Sequence, residues 1–464
     1  MEAFFSSIDL PNYDPDNWEI TFSMLSRPCK SFNDIKKLII FFSSIDYTSE
    51  SSLLTLFSEN NENLPKLDQK HYEEIVFPEL VNIALELPKH FPCGKIISND
   101  THEKTEGFEK IFLTRRKIIC LLSHMFLCTM SDKKTHLGSF KEWNSSELPS
   151  AKLYLKVLMI YFNRIITNNY EVDMNDEMVI CHKSLSDEMI PIWANSNISL
   201  INSIKTNTSD IPGKFDEIEI DPSNKLIGFG KSGTAEEILF GCSPELCVLT
   251  LFCNSMSNKE TILIKNVKKV IQHSGYGPFK VKYKHEIENW WKLSNQKVRC
   301  IIAMDASEFD HIDSLKNSLI LQLQDNSIIR ELNKAYCGFS WNQNFKNIKD
   351  IGIGFWGCGT FGGDKDIKFV IQWIAASQIN TNNNMKLIIY TFNNIDYKQR
   401  IIRFIEKYKN SLVKDLWKLL KNYENYIINF NDNEEQILSL CTWLFNRAKT
   451  TCILFFISSV ILLL

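Results

Sequence analysis

Ten of the chain's seventeen glycines fall in two short stretches, four between Gly228 and Gly241 and six between Gly352 and Gly363. Each stretch runs into a helical pattern, so the fold must carry two backbone loops that bend sharply and then open a helix. Glycines in that position let peptide N–H groups approach an anion, and the helix N-terminus adds favourable potential. Two phosphate-binding loops are therefore expected, against the plainer alternative that tight turns simply need glycine. Two familiar patterns do not fit. Gly228-Phe229-Gly230-Lys231-Ser232-Gly233 has the spacing of the dinucleotide fingerprint, but no β-α-β unit of the right length surrounds it. Gly230-Lys231-Ser232 ends like a nucleotide-triphosphate loop, yet Lys225 stands where that loop needs its first glycine.

After about residue 171, short β-type runs alternate with helical segments. The runs are 178–181, 261–264, 298–304 and 386–392, and the helical segments include 314–335 and 364–379. That alternation predicts an α/β layered sheet. Before residue 171 the patterning is helical, with a proline-started helix at 77–87 and an apolar stretch of helical length at 118–130. Asparagine-rich pieces at 195–207, 380–384 and 429–433 read as loops. Lys407, Lys414, Lys418 and Lys421 read as the solvated face of an amphipathic helix.

With 464 residues, 44% hydrophobic and a net charge of −3, the chain can bury a large core and lacks the broad basic surface of a general duplex-DNA binder. Thirteen cysteines without a Cys-x-x-Cys pair indicate reduced core thiols in an intracellular protein and no cysteine-built zinc site. The start has no secretory pattern. Residues 450–464 carry no charge, but as a helix they would reach only ~22 Å, short of a ~30 Å hydrocarbon core. Membrane attachment is conceivable only through that tail.

Glu236 and Glu237 follow the first loop. Thr234-Ala235-Glu236-Glu237 fits a capping box, which alone would explain the second acid. A carboxylate beside a phosphate site, raised in pKa by burial and nearby negative charge, is also what a general acid for glycosidic cleavage requires.

These residues resemble the poly(ADP-ribose) glycohydrolases. The resemblance is carried by Asp221 and Asn224, the glycine loop ending in Glu236-Glu237-Ile238, Pro244-Glu245-Leu246 and Gly275-Tyr276. It continues through Glu331-Leu332-Asn333-Lys334-Ala335-Tyr336-Cys337-Gly338-Phe339, Trp356-Gly357-Cys358-Gly359-Thr360-Phe361-Gly362-Gly363-Asp364 and Thr391-Phe392. It implies a macrodomain-like mixed sheet sandwiched by helices, with an N-terminal helical accessory domain. The expected division is 1–170 helical, 171–437 catalytic and 438–464 an apolar tail. It further implies metal-free and cofactor-free hydrolysis of the ribose–ribose bonds of poly(ADP-ribose). Glu237 then resembles the catalytic acid/base, Glu236 its ribose-orienting neighbour, and Asp221 and Asn224 the residues that support the loop and bind ribose hydroxyls. Gly228 and Gly230, with Gly357, Cys358, Gly359, Thr360 and Phe361, would wrap the diphosphate. Tyr276 and Phe392 would pack on the terminal ADP-ribose. The implied partners are the polymer and ADP-ribosylated proteins, with no sequence-specific nucleic acid, for a monomer in the nucleus, the cytoplasm or both.

This chain departs from the family pattern in the first loop, which is three residues short, has Phe229 for a glycine and Ala235 for a glutamine. Phe355 also replaces an asparagine, and Asn393-Asn394 follows Phe392 where the family has Gly-Asp. A non-catalytic polymer reader and a hydrolase of single ADP-ribose groups remain the alternatives. The adenine-edge residue expected within 201–217 is not assigned. Trp290 and Trp291 read as packing residues, His273 as a loop histidine and Asp305 as structural.

Overall fold

The computed structural model describes residues 4–6, 8–58, 61–98, 102–105, 108–130, 139–168, 171–209, 217–292, 298–341, 350–379, 385–430 and 436–446. The apolar tail at 450–464, the loop at 380–384, residues 431–433 of the loop at 429–433 and residues 210–216 of the stretch expected to hold the adenine-edge residue lie outside them. Among the described residues no helix is long and apolar enough to cross a membrane.

The strands in chain order are β1 His102–Thr105, β2 Phe108–Thr114, β3 Glu177–Ser184, β4 Ile204–Asn207, β5 Glu217–Asp221, β6 Glu260–Lys265, β7 Ile271–Ser274, β8 Lys282–Glu286, β9 Cys300–Ala303, β10 Asp350–Ile353 and β11 Lys386–Tyr390. The chain forms two compact units. The first comprises Met1–Ser184, Asp221–Ser257 and Thr261–Met304, and the second Leu185–Ile220, Asn258–Glu260 and Asp305–Leu464.

In the first unit the strands lie in the order β1-β2-β3-β6-β9, and the pairs β1/β2, β2/β3 and β6/β9 are antiparallel. A separate antiparallel hairpin joins β7 to β8. The helices follow from local signals. Thr114 caps Arg115–Phe126 by accepting from the Lys117 N–H, and prolines occupy the first turns of Phe77–Leu85 and Pro149–Thr167. Pro149–Thr167 is buried on every side through most of its length, the mark of a helix inside a core rather than on a surface. Its Tyr161 hydroxyl and the Arg115 guanidinium both donate to fully buried Glu245, at 3.2 and 2.9 Å.

In the second unit β5, β10, β11 and β4 run parallel in that order. All of β5 is buried although it reads Glu-Ile-Glu-Ile-Asp. The Glu217 carboxylate is accommodated by the Tyr390 hydroxyl, which donates to it at 2.8 Å. Strands again alternate with helices, among them Asp325–Phe339, Lys365–Ile379, Ile395–Tyr408 and Val413–Ile428. The α/β class and the mixture of parallel and antiparallel pairings thus agree with the sequence, and each of the four expected β-type runs contains a strand, although the last ends at Tyr390 and the third covers only Cys300–Ala303.

Three local expectations need correction. The 195–207 stretch is not loop throughout, since β4 closes it, recruited by the backbone of β11 despite weak intrinsic preference. The helical segment at 314–335 breaks at Gln324, which is extended, giving Leu315–Leu323 and Asp325–Phe339. Lys407 sits on a different helix from Lys414, Lys418 and Lys421, because the chain turns at 409–412.

Candidate active site

In the first unit, Asp221 opens the first glycine loop, and the loop empties into the helix Ala235–Cys242. Asp221 is buried and its carbonyl accepts from the Met304 N–H at 3.2 Å. Asn224 makes a local turn, its Oδ1 accepting from the Leu226 N–H at 3.1 Å. The Glu236 carboxylate reaches back across the loop and accepts from the N–H groups of Asn224 (2.9 Å) and Gly228 (3.0 Å). Burial, then the charge of Asp221, pushes the Glu236 carboxyl well above the usual range. Glu236 is thus the strut of this loop, and its two oxygens are occupied by backbone.

Glu237 completes the expected capping box. Its Oε2 accepts from the Thr234 N–H at 3.0 Å, while the Thr234 hydroxyl accepts from the Glu237 N–H at 3.4 Å. The other oxygen lies so close to Gly230 that a Cβ there would stand 2.0 Å from it. Glycine at 230 is therefore a requirement of where the Glu237 carboxylate sits. Gly233 has φ +67°, and its carbonyl accepts from the Gly277 N–H at 2.8 Å. Gly275 and Gly277, at φ +84° and +89°, bracket Tyr276 and hold its half-exposed ring on a turn clipped to the first glycine loop.

The sequence did not reveal what grips this loop from outside. Phe229 is buried between Phe140 and Trp143, with both ring centroids at 5.0 Å. The Trp143 indole N–H donates to the Gly230 carbonyl at 2.8 Å. The Ser150 hydroxyl donates to the Lys231 carbonyl, and its N–H to Pro278 at 3.0 Å. The loop's departure from the glycine pattern is an aromatic anchor, whose partners lie nearly ninety residues earlier and carry no local motif.

The second unit holds the other loop. Gly357 has φ +71°, and a Cβ there would meet Ala306 at 2.5 Å. The Gly363 N–H donates to the Gly357 carbonyl at 2.8 Å, the Gly362 N–H to Gly359 at 3.1 Å, and the Phe361 carbonyl accepts from the Phe309 N–H at 2.8 Å. This folds the loop back on itself and leaves Gly359 and Thr360 at an exposed tip. Asp364 caps the next helix by accepting from the N–H groups of Asp366 and Ile367, at 3.0 and 2.9 Å, and burial raises its carboxyl to about 6. Burial pushes the Cys358 thiol up to about 12, so it stays protonated at neutral pH.

Beneath the loop lies a charged cluster. Lys368 Nζ contacts Glu331 and stands 4.5 Å above the Trp356 ring. Arg330 bonds Glu331 at 2.7 Å and pairs with Asp305, and Lys334 pairs with Asp305 at 2.6 Å. Burial alone would raise Glu331, but Lys368 and Arg330 outweigh it and hold the carboxyl at about 2. Asp305 is accordingly a structural ion. Phe392, at φ +49° and partly exposed, packs on Phe355 at 5.2 Å, and Phe355 in turn meets Tyr397 at 5.1 Å. Phe355, the second departure, is thus another aromatic support.

Trp290 stacks on Tyr161 at 5.5 Å and the Trp291 ring lies under the Arg164 guanidinium, as packing residues do. His273 is on β7, not in a loop. Among the described residues no group of three or more His, Cys, Asp or Glu side chains could hold a metal ion.

Residues 190–399 match the family described as poly(ADP-ribose) glycohydrolase, macro domain fold, and residues 64–183 match its helical domain. The chain belongs to the poly(ADP-ribose) glycohydrolase family. It is similar to a probable poly(ADP-ribose) glycohydrolase 2 of Arabidopsis thaliana, 25% identical over 419 residues that cover 75% of this chain and 78% of that protein. Poly(ADP-ribose) glycohydrolase 1 of the same plant is 23% identical over 479 residues, covering 82% and 83%. Poly(ADP-ribose) glycohydrolase 1 of Caenorhabditis elegans is 36% identical over 169 residues, covering 34% of this chain and 21% of that protein. Within a glycohydrolase of this family, Asp221, Asn224, Gly228, Gly230, Glu236, Glu237 and Tyr276 are gathered in the first unit. Gly357, Cys358, Gly359, Thr360, Phe361 and Phe392 are gathered in the second.

Proposed function

We propose that the chain hydrolyses the ribose–ribose O-glycosidic bonds of poly(ADP-ribose) and releases ADP-ribose, with Glu237 as the catalytic acid and base. The observation that carries the role of Glu237 is its close approach to Gly230, which together with the capping box fixes one carboxylate in a glycine loop at a helix N-terminus. In the forward step the Glu237 carboxyl gives its proton to the departing ribose oxygen as the C–O bond breaks. The oxocarbenium-like centre left behind is attacked by water, whose proton returns to Glu237. Asp221 and Glu236 hold the loop, and Asn224 supplies a polar side chain for ribose hydroxyls. Gly228 and Gly230 offer backbone to the diphosphate, as do Gly357, Cys358, Gly359, Thr360 and Phe361 in the second unit. Tyr276 and Phe392 supply aromatic faces.

On this reading residues 1–170 are the helical accessory region, 171–437 the catalytic macrodomain and 438–464 an apolar tail. The protein acts as a monomer in the nucleus or cytoplasm on polymer and ADP-ribosylated proteins. Glu237→Gln should lower ADP-ribose release from polymer by about 10²- to 10⁴-fold while ADP-ribose binding persists. Full activity in that variant would remove Glu237 from the mechanism. A wild-type protein that binds polymer without turnover would be a reader, and turnover confined to singly modified protein would reassign the substrate.

A further inference from the structure

The hairpin that carries Tyr276 continues into an unusual surface. Its turn presents Phe279, 70% exposed, and the chain then reads Lys280-Val281-Lys282-Tyr283-Lys284. Val281 is buried and Tyr283 packs against the core, whereas all three lysines are exposed. From Lys282 onward this alternation is what a strand produces when one face is covered, and the end of the turn leads into it with Lys280 outward and Val281 inward. A register shift opposite Gln272 and His273 leaves Lys284 as the extra residue of a bulge, still on the open side. Three cations thus follow one aromatic ring, Lys280 at the end of the turn and Lys282 and Lys284 on β8.

The turn itself is fixed. Gly275 could bear no side chain, because a Cβ would stand 1.8 Å from the Lys280 carbonyl, and the Gly277 and Ser150 N–H groups tie the turn to Gly233 and the helical segment. The row begins beside the loop of Glu237 and ends at a polar cavity of about 440 Å³ lined by Lys284, Lys66 and His71. Glu62, Asp68 and Glu286 also line that cavity and bring the positive row to a stop.

We propose that Phe279, Lys280, Lys282 and Lys284 form a binding track for the part of the polymer that lies beyond the bond being cleaved. This rests on the hydrolase reading given above. Each unit of that polymer carries a diphosphate and a flat base, so a ring followed by cations matches its chemistry: the ring stacks a base and the lysines neutralise successive phosphates. The track adds affinity for long chains and plays no part in the bond cleavage.

The test compares long polymer with the two-unit oligomer, using the full chain. Replacing Lys280, Lys282 and Lys284 together by Ser should raise KM for long polymer about tenfold, leave kcat unchanged and leave the two-unit oligomer unaffected. The slope of log affinity against log salt should fall by about 2 for long polymer. Phe279→Ala should weaken long-polymer binding about tenfold. Lys282→Glu should weaken it more than Lys282→Ser, and Lys282→Arg should restore it, an order that a merely structural role would not give. Binding is measured in the Glu237→Gln background, so it reports on the track even if wild-type turnover is absent and the hydrolase reading fails. Equal losses on both substrates, or no loss on either, would overturn the track.

Discussion

The two glycine loops solve the same backbone problem with different materials. The first is held by contacts around two carboxylates and a ring: Glu236 draws two N–H groups inward, Gly230 lets Glu237 approach, and Phe229 plugs the loop into an aromatic pocket. The second rests on buried ions, with Glu331 between Lys368 and Arg330 and Asp305 between Arg330 and Lys334. Packing and short hydrogen bonds set a side chain to a fraction of an ångström, which suits the role proposed above for Glu237. Buried ions have large gross energies and punish any missing partner, which suits a platform that must not move.

Three results would break or sharpen that contrast. The largest effect belongs to Glu331→Gln, which leaves Lys368 and Arg330 buried without their carboxylate and should cost about 3–5 kcal/mol in denaturant unfolding. A loss below about 1 kcal/mol would mean that the cluster is solvated and the contrast is false. Next comes Gly230→Ala, whose methyl must displace the Glu237 carboxylate. Turnover should fall about 10²-fold while the melting temperature changes little, and the reverse pattern would make the first loop a stability device as well.

The smallest effect is a pH dependence in the second loop. The folded pKa of Asp364, about 6, lies above its ordinary 3.8. Its contribution is therefore fully present below about 3.8 and is lost as the pH rises through about 6. Asp364→Asn, which keeps a capping side chain, should be the more stable form at pH 8 by about 1–2 kcal/mol after allowance for solvent screening, and the advantage should vanish in acid. A constant difference across that range would place the raised carboxyl elsewhere.

What could be read from the sequence was local. The four β-type runs, the proline-started helix and the box formed by Thr234 and Glu237 depend on residues within a turn or two of each other, and all are present. The first loop's oddity, Phe229, was visible only as a departure, because its meaning lies in Phe140 and Trp143, far away in the chain. Likewise the acidic and basic residues of 330–334 gave no hint that Lys368 and Asp305 would complete their charges. Gln324, an ordinary residue inside an unbroken helical pattern, showed no stop signal. The corrections to β4 and to the lysine face have the same origin, in that a distant partner or an intervening turn decided them.

Phe229 has one more consequence, for anyone who would exchange parts between relatives. A glycine-only loop transplanted into this chain would leave a benzyl-sized hole between Phe140 and Trp143. The heritable unit here is not a continuous motif but a plug and its socket, and the two must travel together.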